Sequence, residues 1–224
     1  MNGLIRLLLV AAIGVMGYLC VESIMGPIRF EKAKSFRDKA TISRLINIRA
    51  AQENYRNLNG TYTASFDTLI DFVKNGQIPF VVKEGSLTDQ QLEAGMTEEK
   101  AMKIINSGRE SEIKKNGLEA FRRDTIFANV KDTIFGKAFI ADSLRFVPFT
   151  AGTDTFEMET NAIANASGYM MQLFEARTPY KVYLNGLDRQ EVINLVDRAR
   201  KTDKFAGLKV GSIEQPNNNA GNWE

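Results

Sequence analysis

The chain has 224 residues, 44% of them hydrophobic and 25% charged, with a net charge of +2. That is the composition of a globular protein, and it offers no global field for nucleic acid. With no histidine and a single cysteine, Cys20, the chain has no Ser-His-Asp or Cys-His site, no imidazole metal site and no internal disulfide.

Residues 7–21 carry no charge, and Leu4, Ile5, Ile24 and Met25 extend the apolar run past Arg6 and Glu22. Counted from Leu4 to Met25 the run is roughly 22 residues, enough to cross a bilayer with Arg6 reaching the headgroups. A cleaved secretory signal wants small residues before its cleavage site, and Glu22-Ser23-Ile24-Met25-Gly26-Pro27 offers no A-x-A pattern. Gly17-Tyr18-Leu19 likewise puts no small residue immediately before Cys20 for a lipoprotein signal. The leading reading is an uncleaved transmembrane anchor over 1–26, ahead of a cleaved signal and of a buried soluble helix. Past it stand Arg29, Lys32, Lys34, Arg37 and Lys39, against Glu31 and Asp38. The positive-inside rule alone would therefore keep the remainder in the cytoplasm. The basic stretch 29–39 also suits anionic lipid headgroups.

Pro27 fits the first turn of a helix. From 27 to 59 the apolar spacing is helical: Phe30, Ala33, Phe36 and Ala40, then Ile48, Ala51, Tyr55 and Leu58, widened by Ile42, Leu45 and Ile46. Asn59-Gly60 stops it. A short helix over 65–74 and a strand over 78–83 follow. Two short helices, capped at Ser86 or Thr88 and at Thr97, then lead into a charged, weakly patterned stretch; 85–123 is expected to be a flexible insertion. Strands are expected at 125–131, 134–140, 144–149, 155–161, 169–176 and 181–184, in a sheet within 124–184; Gly-containing or small-residue turns link 144–149, 155–161 and 169–176, for which an antiparallel meander is the simplest topology. Asp188 caps a final helix to about 201, and a polar, Asn-rich tail ends in Trp223-Glu224.

Three motifs bear on chemistry. Ser111-Glu112-Ile113-Lys114 matches S-x-x-K, but the S-D-N and K-T-G companions are missing and Lys201-Thr202-Asp203 does not replace them. Glu157 and Glu159 share a strand face and, with Glu175, could form a carboxylate group for a glycosidase or a hard cation; alternating acids also mark a solvated face. The tail has asparagine carbonyls but lacks the clustered acids that hold calcium, so docking back through Trp223 is its simpler role.

The apolar helix prolonged into an amphipathic one, the segment Ile48-Arg49-Ala50-Ala51-Gln52-Glu53-Asn54-Tyr55 running to Asn59-Gly60-Thr61-Tyr62, and the meander after it resemble the type IV pilin and pseudopilin family. Phe66, Leu69 and Ile70 fall where a small second helix often follows in that family. Family precursors carry a Gly-Phe-like processing site and a glutamate near the mature start; here no Gly-Phe pair precedes the span and Glu22 stands at its far end. What the resemblance implies is thus the architecture: a periplasmic pilin-like domain on a bacterial inner-membrane anchor, against the charge rule.

The expected fold class is α+β, a transmembrane helix continuous with a long amphipathic helix packed on an antiparallel β-sheet, with 27–224 forming one pilin-like domain. The expected function is a structural or scaffolding subunit of a cell-envelope assembly, not an enzyme, with no cofactor and no nucleic acid. Its partners would be other membrane or envelope proteins, or further copies joined through the N-terminal helix. Phe30, Phe36 and Arg37 are candidates for assembly contacts, and Ile48, Ala51 and Tyr55 for packing. The alternative is a membrane-tethered ligand-binding or regulatory protein with a pocket between sheet and insertion.

Overall fold

A computed structural model describes residues 2–164 and 167–224. They are α+β and fall into two compact units, one of residues up to 72 and from 140 onward, the other of 73–139.

Helix α1, Asn2–Asn59, is a single helix of 58 residues with Pro27 inside it rather than at its start. Pro27 cannot donate to the Ser23 carbonyl, so one rung of the ladder is missing there. The proline also marks a change of surroundings. Leu7, Leu8, Val10, Ile13, Leu19, Ile24 and Ile28 are exposed, whereas Phe30, Thr41, Leu45, Ile48, Ala51 and Gln52 are buried. Among the described residues α1 is the one helix long and apolar enough to cross a membrane. At Gly60 (φ 78°) the chain turns left-handed, and the Gly60 N–H closes the last turn on the Arg56 carbonyl at 2.7 Å. Helix α2 spans Phe66–Asn75.

The 73–139 unit is built on a two-stranded antiparallel ribbon. Strand β1, Gln77–Glu84, pairs with β2, Arg122–Asn129, with Gln77 opposite Asn129 and Glu84 opposite Arg122. Between them lie α3, Asp89–Glu93, α4, Glu98–Asn106, and α5, Glu110–Lys115. The stretch expected as a flexible insertion thus carries three helices and a small core of Ala101, Leu118 and Phe121, against which Leu87, Met96 and Ile113 pack. The capping box forms at Thr88 with Gln91; Thr97 caps α4, but the side chain three residues on is Lys100, which cannot return an acceptor. Residues 134–140, expected as a strand, begin at the end of α6, Val130–Ile134, which Asn129 caps. Beyond it the rings of Phe135 and Phe139 stack at 4.3 Å.

The first unit resumes with a 3-10 turn, Ala141–Leu144. The strand expected over 144–149 shrinks to one bridge, Phe146 to Thr155: Pro148 has no N–H to pair, and Phe149 stands at φ 68°. The main sheet is β3, Glu157–Ala164, β4, Met170–Pro179, and β5, Gly207–Gly211, all antiparallel with β4 central. The turn expected between β3 and β4 includes residues 165 and 166, which lie outside the described residues. Residues 181–184, expected as a strand, form helix α7, Tyr180–Tyr183, and its cap. Tyr183 and Leu184 are both fully buried; consecutive strand residues point to opposite faces, whereas one helical turn turns both inward. Helix α8, Arg189–Lys201, starts where Asp188 accepts from the N–H groups of Gln190 (2.9 Å) and Glu191 (3.1 Å). Helix α1 packs on β4, β5 and the 3-10 turn, burying Leu45, Ile48, Phe174, Ala176 and Val210 completely.

Candidate functional site

The six residues singled out along α1 fall into four settings. Ile48 and Ala51 are fully buried and Phe30 is nearly so; all three belong to the core. Tyr55 is half-buried, its ring edge-on to Phe72 at 5.2 Å. Arg37 is committed to the fold: its guanidinium donates to the carbonyls of Tyr183 (2.9 Å) and Asn185 (2.7 Å) and lies 5.3 Å from the Phe149 ring centre. Phe36 is 67% exposed, its ring 5.5 Å from that of Phe149, itself 44% exposed. At 3.6 residues per turn Phe36 lies about 120° around α1 from the Phe30–Ile48 line, while Arg37 lies about 20° from it. The stripe read from sequence was therefore drawn through the wrong neighbour at this point.

The chemical motifs resolve as follows. Ser111 and Lys114 are both exposed on α5, and among the described residues no hydrogen bond joins them. The sheet does bring Glu157, Glu159 and Glu175 together, but around a cation. Opposite one another across the strands stand Glu157, Arg177 and Lys209 in one row, and Glu159, Glu175 and Gly211 in the next. The Arg177 guanidinium donates to Glu157 (2.8 Å), Glu159 (2.7 Å) and Glu175 (3.0 Å), and Lys209 donates to Glu175 at 2.9 Å. Its hydrogen bond to Glu157, helped by those to the other two carboxylates and opposed by partial burial, holds the guanidinium pKa above its ordinary value. The oxygens are thus spent on an ion-pair lattice, and among the described residues no cluster has the composition of a metal site.

The tail docks, though not chiefly through Trp223. Gly211 donates to the Ala220 carbonyl (3.0 Å), and Asn222 brackets β5 by donating from its backbone to the Lys209 carbonyl (3.0 Å) and from its side chain to the Gly207 carbonyl (2.9 Å). On α1, Glu53 accepts from Asn219 at 3.1 Å, and Arg49 donates to the Asn219 carbonyl and to Glu224. The Trp223 ring lies over Gly221, where a Cβ would come within 2.4 Å of it.

A cleft of about 690 Å³ opens on the same side of this unit, between α1, α8, β5 and the tail. Lys34, Tyr180, Arg198, Lys204, Lys209 and Asn222 supply its polar lining, with Asp203 as its one carboxylate. Lys34 donates to Asp38 at 2.7 Å. Burial lowers the pKa of this ammonium, but that hydrogen bond and the negative charges of Asp38 and Glu31 outweigh it, so the net shift is upward. Burial raises the Tyr180 pKa, while the positive charges of Lys34 and Arg198 oppose it. Sequence reading missed this cleft because its residues come from four separated segments with no common spacing. The one signal was the basic run Arg198, Arg200, Lys201 and Lys204 around the end of α8.

Compared with protein-family models, with curated proteins and with solved structures, the chain finds no match.

Proposed function

We propose that this chain is a membrane-anchored structural or scaffolding subunit of a bacterial cell-envelope assembly, pilin-like in build, with its folded units on the periplasmic side and its work done by protein–protein contact. One observation carries the reading: the exposed apolar segment and the buried stripe of the main sheet are successive parts of one helix, α1. A soluble protein does not leave some twenty apolar helical residues in water, and an anchor fused to the core passes a partner's position directly to the domain. The contact surface this supports is Phe36 with Phe149, the exposed aromatic pair beside α1. Phe30 and Arg37 serve the fold instead.

The test is affinity purification of the full chain from membranes in mild detergent. The expected result is a complex with other membrane subunits or with further copies of the chain. Phe36→Ser disperses it and leaves the melting temperature unchanged. A strictly monomeric chain that retains no partner would overturn the proposal, and protease protection of the folded units in spheroplasts would overturn the periplasmic side.

A further inference from the structure

The cleft between α1, α8 and β5 holds four cations, two of which are already engaged: Lys34 with Asp38, and Lys209 with Glu175. The other two, Arg198 and Lys204, have no carboxylate partner among the described residues, and the Tyr180 hydroxyl has no hydrogen-bond partner there. Cations at the end of a helix are favoured by its dipole in any case, so the charge of α8 alone carries nothing. What carries the inference is convergence. A guanidinium, an ammonium and a phenol, all donors without acceptors, line one concave space together with the Asn222 side chain. A donor set of that kind is complemented by an anion with three or more acceptor oxygens. The space is several times the volume of such an anion, leaving room for what it is attached to.

Position adds a second argument. Lys34 is six residues beyond Ile28, the last exposed apolar residue of the anchor, which is roughly 9 Å along the helix. The headgroup layer on each side of a bilayer is about 5–7 Å thick, and the Lys34 ammonium is held toward Asp38, one turn further along the helix. The rim of the cleft therefore lies just beyond the phosphates of the leaflet into which α1 would run, within reach of a headgroup that extends from it.

We propose that this cleft binds a phosphate ester, with Arg198 and Lys204 holding the phosphate oxygens and Tyr180 donating a third hydrogen bond. A glycerophosphate group reaches it either on an anionic phospholipid or as a soluble ester. The inference rests on the anchor alone and not on the envelope-assembly reading.

The experiment uses the full chain in an uncharged detergent. Trp223, the single tryptophan, neighbours the cleft-lining Asn222, so its fluorescence reports occupancy, and calorimetry on the same samples covers a silent fluorophore. Glycerol 3-phosphate is titrated in one arm, and mixed micelles containing phosphatidylglycerol or phosphatidylcholine in the other. Saturable binding in either arm is expected, with Arg198→Gln plus Lys204→Gln weakening it at least tenfold. Arg200→Gln plus Lys201→Gln, which removes equal charge outside the cleft, leaves it within twofold. Phosphatidylglycerol without the soluble ester identifies the lipid as source, and the soluble ester without lipid identifies the free metabolite class. Binding in neither arm, or equal weakening by both double variants, would overturn the proposal. Unchanged melting temperatures verify that the variants are folded.

Discussion

The Tyr183 hydroxyl donates to Asp38 at 2.7 Å across 145 positions of chain, tying the turn before α8 to the first buried stretch of α1. Asp38 takes a second hydrogen bond from Lys34 at 2.7 Å, so one carboxylate serves two donors whose protonated forms it favours. Burial first, and then this bond, push the Tyr183 phenol well above its ordinary value of 10. The Lys34 ammonium also lies above its ordinary 10.5.

Both shifts have the same sign for stability. A group whose pKa is higher in the folded state stabilises it fully below the unfolded value, and that contribution is lost as pH rises through the folded one. The melting temperature of the full chain in detergent should hold to about pH 10 and fall beyond it. Tyr183→Phe should lower the plateau by on the order of 2 kcal/mol, the loss of a hydrogen bond to a charged acceptor, and make the alkaline fall shallower. Parallel alkaline slopes for the two proteins would rule out Tyr183 as the titrating group.

Gln52 is fully buried and its amide is used at both ends, donating to the Thr63 carbonyl (2.6 Å) and accepting from the Thr63 N–H (3.2 Å). It clamps the turn after α1 as a second strand would. Gln52→Leu keeps the bulk but strands both backbone groups of Thr63, at a cost of about 1–3 kcal/mol. Hydrogen exchange should speed up at Thr63 before it does at Leu45. Unchanged protection at Thr63 would remove the clamp from the account.

Glu175 has 5% of its side chain exposed and neutralises both Arg177 and Lys209. In Glu175→Gln, two adjacent cations face each other across β4 and β5 with only the half-exposed Glu157 and Glu159 left for Arg177. We expect a loss of about 2–3 kcal/mol, readable by chemical denaturation. If Glu175 were a catalytic or cation-binding acid instead, its amide variant would be as stable as the parent or more so.

Arg37 and Phe36 are neighbours in sequence with opposite fates. Arg37→Met leaves the Tyr183 and Asn185 carbonyls without their guanidinium and should cost about 2 kcal/mol, while Phe36→Ser should stay within about 0.5 kcal/mol. Thermal melts of the two single variants separate them. Equal costs would mean that the Phe36–Phe149 pair is part of the core.

Much of this was legible in the sequence because it is local. An unbroken apolar run, a three- and four-residue period and an Asn-Gly stop specify α1, and an aspartate before a basic amphipathic stretch specifies the start of α8. What escaped is decided by distant partners. Strand β5 is only Gly-Leu-Lys-Val-Gly, and it ends where a Cβ on Gly211 would stand 2.2 Å from the Phe174 carbonyl oxygen, an approach that glycine alone permits. No pattern inside five residues announces that. The carboxylates of β3 and β4 were recognised as neighbours, but the cations that consume them lie on β4 and on the missed strand. The cleft fails to show for the same reason, since Lys209 and Asn222 reach it only once β5 and the tail are in place.

The rung missing at Pro27 has a mechanical meaning. Every other stretch of the apolar part of α1 is held by its ladder, so resistance to bending is least between the Ser23 carbonyl and Pro27, with Gly26 adding no side chain to stiffen it. The helix is therefore a mast with its compliant joint between an exposed apolar foot and a buried stripe. The foot can tilt about Pro27 while the stripe from Phe30 to Gln52 keeps its grip on the sheet.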